Sequence, residues 1–278
     1  MKPAPFAYAK AKSVEDAIKL LGQADARLLA GGQSLMATLN MRLSAPKLLV
    51  DLNGIGALSG ISVKNGQVEI GALTRHVEAE RSADIAKHAP LIALAMPHIG
   101  HVAIRNRGTI GGSIAFADPA AELPACLLAL HGEVEIAGAK GKRAVKADDF
   151  FKGLFETAVG PADVLTAIRL PAATKETRVG FAEFSRRHGD YAMVGLAASA
   201  KANGKNLSDV RLAYFGVDAT PVRTKKAEAA LAGGDVEAAV KALDIEPHDD
   251  VQSDAATKKH LAGVLLRRVA KQLMEARP

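Results

Sequence analysis

Two glycine-rich turns carry the clearest chemical signal in this chain. They are Ala30-Gly31-Gly32-Gln33-Ser34-Leu35 and Thr109-Ile110-Gly111-Gly112-Ser113. Each sets a pair of glycines beside a small hydroxyl residue. Glycine lacks a Cβ, adopts positive φ at no steric cost and lets a ligand approach the backbone closely. Successive N–H groups in such a turn converge into an anion-binding concavity, and the start of a following helix adds partial positive charge. Taken singly, either turn also reads as an ordinary strand-to-helix connection. Taken together, two such turns far apart in sequence could clasp a diphosphate from both sides, as a dinucleotide requires. Neither turn is one of the common nucleotide motifs: no G-x-G-x-x-G follows a strand, and no G-x-x-x-x-G-K-[ST] occurs.

Few other residues offer chemistry. Asp118 and Glu122 lie four apart, hence on one helical face if a helix begins that early. Paired carboxylates there could do acid–base work or balance the helix dipole. His98 and His101 are too few ligands for a metal site, His76 reads as structural, and His188 reads as facing solvent. The single cysteine, Cys126, lies in the apolar run Pro124 to Leu128 and reads as a buried core thiol. One cysteine rules out a disulfide within the chain, and also a four-cysteine zinc or iron–sulfur site. No G-x-S-x-G elbow supports serine hydrolase chemistry.

The elements that must position these turns are legible in outline. Ser13 is a candidate N-cap for a helix from Val14, with Val14, Ala17, Ile18 and Leu21 on one stripe. Arg27 to Ala30 reads as a short buried strand feeding the first turn, and Leu35 to Leu43 as a helix. Lys64-Asn65-Gly66-Gln67 reads as a hairpin turn. Ile85 to Met96 and Ala120 to Leu130 read as helices, Glu133 to Ile136 and Val164 to Leu170 as strands. Pro171 to Thr177 reads as a linker. Beyond it, Tyr191 to Lys201 and Val210 to Val217 read as strands. Two helices follow, capped by Asp235 and by Ser253 or Asp254. The last carries Lys258, Lys259, Arg267, Arg268 and Lys271 on a face expected to be solvated.

Composition fits a globular protein. Of 278 residues, 49% are hydrophobic and 24% charged, enough for two domains with real cores. The net charge of +6 suits an anionic cofactor or an acidic partner. No interleaved basic and aromatic stretch points to nucleic acid. No apolar run is long enough to span a membrane, and a soluble, cytoplasmic protein is expected.

Five stretches together resemble the FAD-binding medium subunits of the molybdenum hydroxylases, a group that includes carbon monoxide dehydrogenase and the FAD domain of xanthine dehydrogenase. These are Ala30 to Leu35, Gly71 to Thr74, Arg105-Asn106-Arg107-Gly108-Thr109-Ile110-Gly111-Gly112-Ser113, Ala117 to Glu122, and Arg186 to Ala192. The resemblance implies an α+β chain. A PCMH-type FAD-binding fold of two subdomains, about 1–55 and 56–175, is followed by a C-terminal α+β domain over 176–278. It implies that the FAD diphosphate is gripped by Ala30, Gly31, Gly32, Gln33, Ser34 and Leu35 and by Thr109, Ile110, Gly111, Gly112 and Ser113. Asp118 and Glu122 then contact the cofactor, Tyr191 lies near the isoalloxazine, and Leu170 lies beside it. Gln33 and Ser113 depart from the residues most common at their positions, yet both can hydrogen-bond. The implied role is electron transfer, from iron–sulfur clusters in a small [2Fe-2S] subunit to an external acceptor. Substrate oxidation would belong to a large molybdopterin subunit, the whole forming a heterotrimer or a dimer of heterotrimers. Two other readings stay open: a self-contained flavin reductase on a related fold, and a cofactor-free basic interaction protein.

Overall fold

The computed structural model describes residues 2–23, 25–204 and 206–275. Its first unit comprises β1 (Ala7–Lys10), α1 (Val14–Leu21), β2 (Ala26–Leu29), α2 (Leu35–Asn40) and β3 (Leu48–Asp51). The three strands form a parallel sheet in the order β1-β3-β2. Parallel neighbours need crossover connections, and α1 and α2 supply them. Ser13 caps α1 as expected, accepting from the Asp16 amide at 3.1 Å. β3 is buried along its whole length, which explains its unbroken apolar run Leu48 to Val50.

The second unit opens with the hairpin β4 (Ile61–Lys64) and β5 (Gln67–Gly71). Asn65 and Gly66 both take positive φ between them, as a tight two-residue turn requires. Six short helices follow: α3 (His76–Arg81), α4 (Ala83–His88), α5 (Pro90–Ala95), α6 (Val102–Arg105), α7 (Ile110–Phe116) and α8 (Glu122–Ala129). Then come β6 (Glu133–Gly138), β7 (Gly141–Lys146), α9 (Ala147–Phe150), the small pair β8 (Phe151–Gly153) and β9 (Glu156–Thr157), and β10 (Val164–Pro171). The main sheet is five-stranded and antiparallel, in the order β4-β5-β10-β6-β7. Two expectations are corrected here. The stretch Ile85 to Met96 is not one helix, because Pro90 disfavours a helical Ala89 and splits it into α4 and α5. The helix expected from Ala120 begins at Glu122, so Asp118 does not share a helical face with Glu122. The Asp118 Oδ1 atom instead accepts from the Ala120 amide at 2.9 Å, closing a local turn before the helix.

The third unit is an antiparallel meander of β11 (Thr177–Ser185), β12 (Ala192–Asn203), β13 (Asn206–Phe215) and β14 (Val222–Arg223). It is backed by α10 (Lys225–Ala232), α11 (Val236–Lys241) and α12 (Ala255–Glu275). Asp235 caps α11 by accepting from the Ala238 amide at 2.8 Å. Asp254, not Ser253, caps α12 by accepting from the Thr257 amide at 2.7 Å. Lys259, Arg267, Arg268 and Lys271 are exposed, but Lys258 is buried, against expectation. Its Nζ donates to Asp250 at 2.6 Å and to the Gly216 carbonyl at 3.0 Å. Periodicity cannot show this, because the acceptors lie outside the helix, Asp250 just before it and Gly216 on a distant loop.

Each unit has its own apolar cluster, and the central cluster crosses from the second unit into the third. Leu123, Leu127 and Ile168 pack in it together with Phe181, Ala197 and Phe215. Cys126 is fully buried there. Among the described residues no helix is long and apolar enough to cross a membrane.

Candidate functional site

The first glycine turn leaves the end of β2 and enters α2, with Gly32 at φ +73°. The N–H groups of Gly31, Gly32, Gln33 and Ser34 have no acceptor among the described residues. Gln33 Nε2 donates back to the Gly31 carbonyl at 3.2 Å, which tightens the turn. Leu35 opens α2, half-buried.

The second turn leads from α6 into α7. Thr109 is its N-cap, accepting from the Gly112 amide at 3.1 Å. The turn is pinned to the segment Ala72–His76 by three backbone bonds. His76 donates to Gly108 O at 3.0 Å, Ile110 to Thr74 O at 3.0 Å and Gly111 to Ala72 O at 2.9 Å. A Cβ on Gly111 would lie 2.7 Å from Ala72 Cα, so only glycine permits this approach. Ser113 follows, half-buried on α7.

The structure brings the two turns together. A Cβ on Gly31 would overlap the Arg107 carbonyl oxygen and come within 2.9 Å of Gly108 Cα. On Gly112 it would come within 3.9 Å of Ala30 Cβ. Beside the junction lies an open cleft of about 770 Å³. Its walls include the first turn from Ala30 to Gln33, together with Tyr8, Asp51, Asn53, Arg75 and Arg107. These five side-chain positions were not singled out by sequence reasoning. Arg75 and Arg107 stood beside or inside quoted motifs, but only the pairing of the second turn with the segment Ala72–His76 brings them to one cleft. A hydrogen-bonded chain runs through them. Tyr8 donates to Asp51 Oδ2 at 2.5 Å, and Asn53 Nδ2 reaches Asp51 Oδ1 at 2.6 Å and the Ala30 carbonyl at 2.8 Å. The Arg75 guanidinium donates to Asn53 Oδ1 and to the Arg107 carbonyl.

A second group lies past the C-terminal end of α7. Ala117 leaves the helix in the left-handed region, and Asp118 and Glu122 follow on the loop and at the start of α8. Glu122 is buried, and its carboxyl is pushed up to about 8. Burial dominates, and the charges of Glu183 and Asp118 add to it. Burial raises Asp118 as well. The Tyr191 hydroxyl is raised by burial and then by the neighbouring charges of Asp118 and Glu122, although 53% of the residue remains exposed. Glu183 Oε1 meets His98 Nδ1 at 3.3 Å, so His98 is a carboxylate partner and His188 stays exposed beside it. Leu170 joins neither group. It lies in the central core, where a Cβ on Gly132 would come 2.9 Å from both Leu170 Cδ2 and Leu127 Cγ. His76 is buried under Gly108 and driven down to about 4 by burial.

The donor set fits an anion with two charges. The first turn, with its unbonded amides, and the two arginines line the same cleft. The turns approach this closely only because Gly31 has no side chain to strike the Arg107–Gly108 backbone.

The model for the FAD binding domain in molybdopterin dehydrogenase matches residues 4–173. The model for the CO dehydrogenase flavoprotein C-terminal domain matches residues 180–273. The 6-hydroxypseudooxynicotine dehydrogenase complex subunit alpha of Paenarthrobacter nicotinovorans is 38% identical, over 100% of this chain and 98% of its own length. A solved carbon monoxide dehydrogenase chain from Hydrogenophaga pseudoflava superposes with a TM-score of 0.96 at 36% identity, covering 98% of each chain. Quinoline 2-oxidoreductase from Pseudomonas putida 86 gives 0.94 at 32% identity, covering 99% of each.

Proposed function

The chain belongs to the FAD-binding medium subunits of the molybdenum hydroxylases, and from that premise we propose that it relays electrons within a larger complex. Its cofactor is FAD and it is an oxidoreductase subunit. The proposed path runs from iron–sulfur clusters in a small partner, through this chain, to an external acceptor. A large molybdopterin-bearing partner would oxidise the substrate. The assembly would be a heterotrimer or a dimer of heterotrimers, working in the cytoplasm. One cysteine, fully buried, leaves this chain nothing with which to ligate a cluster, in keeping with that division of labour.

The observation that carries the reading is the close contact of the two glycine turns beside a cleft lined by the first of them and by Arg75 and Arg107. FAD, when bound, supplies the redox chemistry; the protein supplies binding, orientation and electrostatics. In this reading the free N–H groups of Gly31 to Ser34 hold the diphosphate. The second turn, from Thr109 to Ser113, whose amides from Ile110 to Ser113 already bond Thr74, Ala72 and Thr109, backs the first turn by close packing. Glu122, protonated at neutral pH, donates rather than accepts a hydrogen bond toward the cofactor. Tyr191 covers the exposed side and limits water. Asp118 holds the loop between them. Leu170 acts through the core behind α8, not by contact at the cleft. The domain division proposed is 1–175 for the FAD-binding part and 176–278 for the C-terminal part.

Purification with accompanying subunits tests the function. Expected are about one FAD per chain by absorption, with molybdenum and iron confined to the other subunits. A colourless complex, or metal in this chain, would end the reading.

A further inference from the structure

The geometry points to Arg75 as the residue that both positions the two turns and matches the charge of the ligand between them. This rests on the FAD reading above and goes beyond it, since backbone amides alone account for a diphosphate grip. Its guanidinium donates through Nη1 to the Arg107 carbonyl of the second turn, and through Nη2 to Asn53 Oδ1. Asn53 in turn donates to the Ala30 carbonyl of the first turn at 2.8 Å. Arg75 and Asn53 therefore form a strut between turns that belong to different units of the fold. Arg is suited to this, because its planar fork fixes two directions at once.

The same guanidinium lines the cleft, with Arg107 as its neighbour. Neither arginine forms an ion pair among the described residues. Asp51 accepts from Tyr8 and Asn53, and Glu78 accepts from the backbone amide of Arg75 at 2.7 Å. Both carboxylates offset part of the Arg75 charge, and Arg107 repels it. Two guanidinium groups lining one cleft make that side of it attractive to anions, and a diphosphate ester brings two negative charges to it. Riboflavin has no phosphate and lacks that match, so Arg75 also favours FAD over riboflavin.

The test uses the full chain purified with the subunits that accompany it, stripped of flavin and titrated with FAD and with riboflavin at two ionic strengths. Arg75→Gln is expected to weaken FAD binding by about 10- to 100-fold, the scale of one charge-assisted hydrogen bond, and to flatten its salt dependence. Its riboflavin affinity changes less. Asn53→Ala breaks the strut but keeps the charge, so affinity falls while the salt dependence stays. Arg75→Lys keeps the charge and loses the fork, and should resemble Asn53→Ala; it also serves if Arg75→Gln does not fold. A folded Arg75→Gln that binds FAD within two-fold of the unsubstituted protein, with the same salt dependence, overturns the proposal. A loss of FAD affinity with unchanged salt dependence in Arg75→Gln overturns the charge-matching half. If the unsubstituted protein takes up no FAD at all, the cofactor reading itself falls, and this one with it.

Discussion

Gly31 carries no side chain because the opposing turn occupies the place where one would go. Gly31→Val would drive a branched side chain into the Arg107–Gly108 backbone and wedge the turns apart. FAD occupancy is expected to fall at least about ten-fold, while far-UV circular dichroism stays native, because both turns sit at element ends. Glu122 makes a different prediction, about pH. Its folded pKa is near 8 against an ordinary 4.5. Between those values the folded chain holds a proton that the unfolded chain has released, so stability falls as pH rises through that window. At about 1.4 kcal/mol per unit the effect is a few kcal/mol, lost progressively as pH rises from about 4.5 to about 8. Glu122→Gln cannot ionise and should flatten that fall, leaving the variant more stable than the parent at pH 8.5 and no more stable at pH 5. His76 has the opposite sign. Its folded value near 4 lies below the ordinary 6.5, so it costs stability as pH falls from 6.5 to 4. Urea midpoints measured across pH for Glu122→Gln decide the matter. An unchanged slope between pH 4.5 and 8 would mean that Glu122 is ionised in the fold.

Elements hold one another here by answering the polar groups at helix ends. The C-terminal carbonyls of α8 have no intrahelical donors, and the third unit supplies them. Arg211 on β13 donates to Leu128 O at 3.0 and 2.8 Å, and also to Asp148 at 2.8 Å. Ser199 on β12 donates to Ala129 O at 2.6 Å. Since α8 begins at Glu122, these bonds fix the far end of the helix that carries that carboxyl. Lys258 works on the same loop from behind: it holds the Gly216 carbonyl, and the Gly216 amide holds Pro119 O at 2.8 Å. Arg211→Met should therefore cost about 2–4 kcal/mol, read as a lower thermal midpoint, because it strands a buried carbonyl and leaves Asp148 with Arg223 alone. A change under 0.5 kcal/mol would show that water replaces the guanidinium. These links also mark how far the sequence could be read. The Ser13 and Asp235 caps and the Asn65-Gly66 hairpin depend on neighbours within a few residues, and all were legible; the glycine turns stood out by composition, but their contacts with Ala72, Arg107 and Gly108 did not. Lys258, Arg75 and Asn53 take their roles from partners 42, 32 and 23 positions away, which no local pattern records. Asp118 failed for a subtler reason: its side chain satisfies the turn before α8, so the helix starts later than its apolar run suggests.

At the scale of the whole molecule the two matched regions do not correspond to two separate cores. The first unit has its own small cluster, and α12 closes another over the outer face of the meander. The largest cluster lies between them. α8 packs onto β12 and β13 and α5 onto β11 and β12, with Phe181, Ala197 and Phe215 in the same cluster. A chain that stops at residue 175 would keep both sheets and both glycine turns. It would also expose the apolar face of α8, including Cys126 and Leu127, together with the carbonyls that Arg211 and Ser199 answer. Burial of that face contributes about 25 cal/mol per Å², and nothing within residues 1–175 replaces it. The truncated chain is expected to aggregate or to bind a hydrophobic dye, and to hold no FAD despite intact turns, because the loop carrying Asp118 loses its anchor at Gly216. A monomeric fragment with a cooperative melt and bound FAD would show instead that the cleft is organised by the first two units alone.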